Sequence, residues 1–89
     1  MTRTEEFEQL RPLLFSIAYR ILGSVGEAED AVQETWLRYE ASPTQPMSTR
    51  AFLSAVVTRV SVDVLRSARV RAGDLRRAVV PRAVADRPL

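Results

Sequence analysis

The sequence predicts an all-α protein: a compact three-helix bundle with a long third helix and an irregular C-terminal tail. Apolar residues recur at spacings of three and four in three successive segments, which is the periodicity of amphipathic helices. Glycine or paired prolines separate these segments, as expected where helices end. With 89 residues, 46% of them apolar and 27% charged, the chain has the composition of one folded soluble domain.

The first helix is predicted over residues 5–22, with Thr4 as its N-cap and Gly23 as its C-cap. Its apolar stripe consists of Phe7, Leu10, Leu14, Ile17 and Ile21. Pro12 falls inside this pattern, and a proline inside a helix removes one hydrogen bond and crowds the preceding turn. We therefore expect a kink, or a fresh start of the helix near Arg11.

The second helix is predicted from its N-cap, Ser24, to about Ala41, and Glu27 stands at the spacing of a capping box. Its core stripe is predicted to be Ala28, Val32, Trp36 or Thr35, and Tyr39. A second face carries, again at helical spacing, Asp30, Gln33, Glu34 and Leu37. Because polar helix faces are usually only solvated, this geometry alone assigns the second face no function.

A loop is predicted over residues 42–48, because two prolines within four residues exclude both a helix and a central strand. The third helix follows over residues 50–70, capped by Ser48 or Thr49. Its core stripe is predicted to be Leu53, Val57, Val60 and Val64.

The third helix also carries a charged face. Asp63 follows Arg59 by four residues and precedes Arg66 by three, which predicts a ladder of surface ion pairs. After Arg71 no periodicity is sustained, so residues 72–89 are predicted to form a separate, poorly ordered tail, with room for a further helical turn or two over residues 74–80.

The composition excludes several kinds of function. The chain has no Cys and no His, which removes disulfides, thiolate and imidazole catalysis and almost every zinc site. Its three glycines match no nucleotide-binding fingerprint, so we predict no catalytic residue, metal or cofactor. No apolar run approaches the roughly 20 residues of a membrane span, and no signal peptide opens the chain. We therefore expect a cytoplasmic binding module with no membrane partner.

The charges are distributed unevenly. Residues 1–48 contain four arginines and eight acids, a net charge of −4, whereas residues 49–89 contain nine arginines and three acids, a net charge of +6. This asymmetry suggests two different partners, one of them nucleic acid. All 13 basic residues are arginine, which suits phosphate and base contacts. Codon bias in a GC-rich genome is the alternative explanation.

Three stretches carry a family resemblance. Residues 7–24 read FEQLRPLLFSIAYRILGS, residues 23–41 read GSVGEAEDAVQETWLRYEA and residues 51–69 read AFLSAVVTRVSVDVLRSAR. In order and without gaps, they resemble region 2 of bacterial extracytoplasmic-function sigma factors of RNA polymerase. The similarity is to the subgroup whose full-length members carry a small C-terminal α+β domain. It implies a sigma region 2 domain over residues 1–71.

The resemblance implies a polymerase-binding surface. In the family, the polar face of the second helix docks on the clamp helices of the polymerase β′ subunit. Residue by residue, that role carries over to Asp30, Gln33, Glu34 and Leu37. Carboxylates around one leucine suit a basic coiled coil, because charged hydrogen bonds then surround a desolvated apolar centre.

The resemblance also implies a DNA-binding surface. The family reads the −10 promoter element as unpaired non-template strand, with an extruded base in a pocket formed partly by the loop before the third helix. The loop residues so implied are Ser42, Pro43, Thr44, Gln45, Pro46, Met47 and Ser48. The arginines proposed for a cationic track are Arg50, Arg59, Arg66 and Arg69. Phe52 and Trp36 are candidate aromatic contacts, although both are expected mainly in the core. Many members have Arg-Asn where this chain has Thr58-Arg59, so the asparagine contact does not carry over.

Residues 72–89 match neither the family's linker nor its −35-binding domain. Codons can be chosen for residues 72–88 such that a one-base shift of the reading frame after Arg71 encodes a sequence very similar to the subgroup's continuation. We therefore hypothesise that residues 72–89 are a frameshifted tail. The nucleotide sequence of the gene tests this hypothesis.

The predicted function is a truncated region 2 module that cannot initiate transcription efficiently alone. The alternatives left open are a helical interaction module or homodimer, a decoy occupying the polymerase clamp, and a duplex-DNA-binding protein.

Overall fold

All three predicted helices occur in the computed structural model, which describes residues 2–79 and the side chains of residues 2–73. Helix α1 spans Arg3–Leu22, α2 spans Val25–Ala41 and α3 spans Thr49–Val79. Because the described residues contain no strand, the all-α class is confirmed. In the same part of the chain, no helix combines the length and the apolarity that crossing a membrane requires.

Helix α1 begins two residues earlier than predicted. Its N-cap is Thr2, whose hydroxyl accepts a hydrogen bond from the Glu5 N–H (3.1 Å), while the Glu5 carboxylate accepts one from the Thr2 N–H (2.9 Å). This reciprocal capping box overrides Thr4, which has no acidic residue three positions later. The helix then continues through Pro12 as one element, so the predicted restart near Arg11 is wrong.

The connection between α1 and α2 has the predicted caps. Gly23 adopts the left-handed conformation (φ 73°), and its N–H donates to the Tyr19 carbonyl at 2.7 Å. Ser24 then caps α2 by accepting a hydrogen bond from the Glu27 N–H at 3.3 Å. So short a connection brings α2 back alongside α1.

Helix α3 is longer than predicted, with 31 residues and a length of about 46 Å. The Ser48 hydroxyl accepts from the Ala51 N–H (3.2 Å) at its start. The helix continues to Val79, through residues predicted to be irregular, because no proline interrupts it and Gly73 costs only about 1 kcal/mol relative to alanine. The remainder of the predicted tail, residues 80–89, lies outside the described residues.

The core lies where the three helices meet. Its buried apolar residues are Phe7, Leu14 and Ala18 of α1, Ala28, Ala31, Val32 and Tyr39 of α2, and Leu53, Val57 and Val60 of α3. Each predicted stripe contributes at least two of them, and Trp36 and Val64 pack at the edge. Because the buried residues of α2 share one side of the helix, its opposite side is left outside the core.

Candidate functional site

The outward side of α2 carries a continuous polar surface around one leucine, which we call the acidic face. It consists of Asp30, Gln33, Glu34 and Leu37. These positions are opposite the buried Ala28, Thr35 and Tyr39 on the helix. Leu37 is 49% exposed, so the C-terminal end of this face contains apolar area available for desolvation by a partner. The structure thus brings all four sequence-predicted residues together, at no cost to the core.

The acidic face extends over both flanks of α2. On one flank, Asp30 and Glu34 border a groove shared with Asp63 and Arg71 of α3. On the other flank, Gln33 borders a smaller depression beside α1. The acidic face therefore lies between two depressions in the surface.

One carboxylate of the acidic face is already paired. The Arg38 guanidinium donates to Glu34 Oε2 at 3.2 Å, one helical turn away, and both side chains are about half exposed. Such an exposed pair is worth about 0.2–1 kcal/mol. Asp30 forms no ion pair among the described residues, so it is the more available of the two carboxylates.

A second candidate surface is the loop of residues 42–48, which is tied to the start of α1 by one side chain. The Arg3 guanidinium donates to the carbonyls of Tyr39, Ser42 (3.0 Å) and Thr44 (3.2 Å) and to Oε1 of Gln45 (3.2 Å). It also lies 4.9 Å from the centre of the Tyr39 ring. One side chain thus bridges the end of α2 and a loop that has little regular structure.

A second layer of hydrogen bonds supports this arrangement. The Gln45 amide donates to the Tyr39 hydroxyl (3.3 Å) and to Thr49 (3.4 Å), the first residue of α3. Both Tyr39 and Thr49 donate in turn to the Glu6 carboxylate, at 3.5 and 3.2 Å. All three helices therefore contribute to the base of the loop.

The outer side of the loop is open to solvent. Met47 is fully exposed, and Pro43, Thr44 and Ser48 are also exposed. Gln45 is exposed as well, although its side chain is engaged in hydrogen bonds with Arg3, Tyr39 and Thr49. The loop therefore combines hydrogen bonds at its base with an accessible rim.

The four α3 arginines predicted to bind DNA divide into two groups. Arg59, Arg66 and Arg69 are exposed and lie on one side of the helix, facing away from the core. Arg50 is also exposed, but it precedes Arg59 by nine residues, which places it about half a turn away, near the loop. The predicted track is thus one face of three arginines, with Arg50 on a separate side.

The predicted ion-pair ladder on α3 is wrong. Among the described residues, the ion pairs are Glu8–Arg11 and Glu34–Arg38, and neither involves Asp63. An exposed ion pair one helical turn apart stabilises a helix by only a few tenths of a kcal/mol. This stabilisation is too small to hold two long side chains in one geometry. The guanidinium groups of Arg59 and Arg66 are consequently available to an anionic partner.

Arg59 borders an open apolar groove on α3. Phe52 and Val56 line this groove beside the arginine, and Thr58 turns its hydroxyl back to the Ser54 carbonyl (2.7 Å). Phe52 is half-buried against Tyr39, with ring centres 6.0 Å apart, and Trp36 packs on Phe7 at 5.1 Å. Both aromatics are thus part of the core's edge, as expected.

Sequence reasoning missed the residues that hold the loop, namely Arg3, Glu6 and Thr49. Apart from the Gln45–Thr49 bond, their contacts join residues 33 to 43 positions apart, so no local pattern indicates them. Within the described residues, no three acidic side chains gather closely enough to hold a metal ion.

Comparison with known proteins gives a consistent picture. Residues 7–71 match the family model for Sigma-70 region 2. The chain is 52% identical over 63 residues to the ECF RNA polymerase sigma factor SigJ of Mycobacterium tuberculosis, a match that covers 71% of this chain and 20% of that protein. It is 36% identical over 62 residues to the probable ECF RNA polymerase sigma factor SigI of the same organism, covering 68% and 21%. The chain therefore spans about a fifth of the length of these curated relatives. No solved structure gives a significant match.

Proposed function

The chain belongs to the Sigma-70 region 2 family, and on that premise we propose that it is a cytoplasmic transcription-initiation module that binds RNA polymerase and promoter DNA. The observation that carries the proposal is the separation of two oppositely charged surfaces by one small core. The acidic face points outward from α2, and arginines point outward from α3. Family membership confirms the resemblance found in the sequence, and it agrees with a binding module rather than an enzyme.

We assign the acidic face to the clamp helices of the β′ subunit. A basic coiled coil laid along this face donates charge-assisted hydrogen bonds to the carboxylates of Asp30 and Glu34 and covers the half-exposed Leu37. Interfaces concentrate their energy in such a desolvated centre with a polar rim. The charges also steer the encounter between the two proteins.

We assign the loop and the arginines of α3 to the unpaired non-template strand of the −10 element. Single-strand binding needs a cationic track and an apolar surface on which bases rest. Arg59, Arg66 and Arg69 supply the track, and the groove beside Phe52 supplies apolar surface next to Arg59. Arg50, on its separate side, is placed for a phosphate close to the loop.

The polymerase assignment is tested by titrating the chain with a β′ clamp-helix fragment. Replacing Asp30, Gln33 and Glu34 by alanine should weaken binding at least tenfold, because hot-spot groups typically cost more than 1 kcal/mol each. The circular dichroism spectrum and urea midpoint should stay close to wild type, since none of the three is buried.

Neighbouring carboxylates provide the matched control. Asp30→Ala and Glu29→Ala remove the same charge one residue apart, but Glu29 borders the flank beside Pro12 and Phe15 rather than the acidic face. Asp30→Ala should weaken binding by several-fold and Glu29→Ala by less than twofold. Equal losses would show that net charge, and not this face, governs the interaction.

The DNA assignment is tested by the salt dependence of binding to a single-stranded −10 oligonucleotide. Arg59→Ala should lower affinity and reduce the slope of log K against log salt by about 0.7, the value for one lost single-strand phosphate contact. Arg20→Ala removes an exposed arginine at the end of α1 and should leave the slope unchanged. Tighter binding to duplex than to single strand would favour a duplex-binding protein instead.

A helical interaction module is the second candidate, favoured by the open apolar groove beside Phe52 and Val56. If that groove pairs two copies, the solution mass should double in a concentration-dependent way, and Val56→Asp should restore the monomer. If the chain is instead a decoy on the polymerase clamp, it should bind the fragment and displace a full-length sigma factor without supporting transcription.

A further inference from the structure

Arg3 occupies an unfavourable place for its own helix. It is the first residue of α1, where the positive end of the helix dipole disfavours a cation. The acidic residues of that first turn, Glu5 and Glu6, suit the dipole, whereas Arg3 opposes it. The helix dipole of α1 therefore does not account for a cation at this position. The explanation lies in the contacts that Arg3 makes outside α1.

The partners of Arg3 supply that explanation. The Tyr39 carbonyl, which also accepts the Ser42 N–H at 3.2 Å, belongs to the last turn of α2, and the Ser42 carbonyl belongs to its C-cap. Both carbonyls lie at the negative end of the helix dipole, which favours a cation. Thr44 and Gln45 carry the contact onward into the loop. One planar guanidinium thus closes the end of α2 and orders the loop after it.

Only arginine has the donors for this task. Its fork offers five N–H groups in fixed directions, and here they reach four acceptors on four different residues. A lysine ammonium has three donors on one atom and does not span these acceptors. The ring of Tyr39 beneath the guanidinium fixes its plane.

We propose that Arg3 is a positioning residue for DNA recognition, holding the loop of residues 42–48 in the conformation that receives an extruded −10 base. The inference rests on the proposed function, since it names what keeps that DNA-binding loop in place. Arg3 itself lies at the base of the loop, partly buried, and not on its exposed rim. It therefore acts on sequence discrimination through the loop rather than by adding a phosphate contact.

The first measurement is made on the free, full chain by ¹⁵N relaxation of the loop amides. In wild type, the amides of Thr44 and Met47 should have order parameters near those of the helices, about 0.85, and in Arg3→Gln they should fall below about 0.6. Arg3→Lys, which keeps the charge without the fork, should give intermediate values. Arg20→Gln, on the other end of α1, should resemble wild type.

The second measurement compares binding to a single-stranded −10 oligonucleotide with binding to a scrambled one of the same length. Arg3→Gln should reduce the affinity ratio by about tenfold, as expected when several charge-assisted hydrogen bonds that order the loop are lost. Affinity for the scrambled strand should change by less than about twofold, because the arginine track on α3 is intact. Arg3→Lys should also reduce the affinity ratio between the −10 and the scrambled strand, but by less than Arg3→Gln does.

The two measurements separate the possible failures. Unchanged order parameters in Arg3→Gln would overturn the positioning role, and so would a mobile loop with an unchanged affinity ratio. A wild-type chain with an ordered loop but no sequence preference would overturn the proposed DNA function itself. If Arg3→Gln unfolds, Gln45→Ala tests the same loop, because it removes bonds to Arg3, Tyr39 and Thr49 and leaves α1 intact.

Discussion

The acidic face and the loop of residues 42–48 are built in opposite ways. Every member of the acidic face lies on α2 within eight residues, and helix periodicity alone brings them together. The loop is contacted by Arg3, about forty residues away in the sequence, and Glu6 connects the helix ends on either side of the loop through Tyr39 and Thr49. A surface of the first kind tolerates changes elsewhere in the fold, whereas one of the second kind depends on single remote side chains.

The largest effect is expected from a substitution in the core that supports both surfaces. Leu14 is fully buried in α1, so Leu14→Ala should lower the free energy of unfolding by about 2–5 kcal/mol. Because an isolated 17-residue helix is marginal in water, the acidic face should be lost together with the loop. Urea denaturation followed by circular dichroism and by loop NMR signals measures both.

The control is the same leucine-to-alanine substitution at an exposed position. Leu37 is 49% exposed, and Leu37→Ala should change the free energy of unfolding by no more than about 0.5 kcal/mol. A loop that melts well before α2 in Leu14→Ala would show that the two surfaces do not share one cooperative unit.

A smaller effect on binding tests whether the acidic face acts as a local surface. Arg38→Ala releases Glu34 from its 3.2 Å ion pair and should tighten binding to the β′ clamp fragment by up to about fivefold at low salt. The gain should shrink as salt rises, because exposed charges are screened. Arg20→Ala changes the net charge equally without freeing a carboxylate. A weaker complex in Arg38→Ala would mean that Arg38 itself contacts the partner.

This contrast also explains what the sequence could reveal. The core positions Val32 and Val57 and the cap at Gly23 follow from local spacing, so their prediction is confirmed. The true N-cap of α1 also has a local signal, because Thr2 and Glu5 have the capping-box spacing whereas Thr4 has no such partner.

Other features had no local signal. The contact of Arg3 with residues beyond Tyr39 depends on how the finished helices pack, so no pattern within a helix contains it. The ion-pair ladder predicted around Asp63 is absent from the described residues for a different reason. The spacing allows such pairs, but solvation and side-chain entropy decide whether they form.

The smallest predicted effect is a pH dependence of the first turn of α1 and of the loop. Hydrogen bonding by Thr2, first from its backbone N–H (2.9 Å) and then from its side chain, holds the pKa of the Glu5 carboxylate below the usual 4.5. A lowered pKa in the folded state means that this contribution to stability is complete above pH 4.5 and is lost as the pH falls through the folded value. Acid should therefore loosen the first turn of α1, and with it Arg3, before it affects α2. Order parameters of the loop amides should decline on acidification while those of α2 hold. Glu5→Gln should lack the part of this pH dependence due to Glu5, and an identical acid response in both proteins would refute the link between the capping box and the loop.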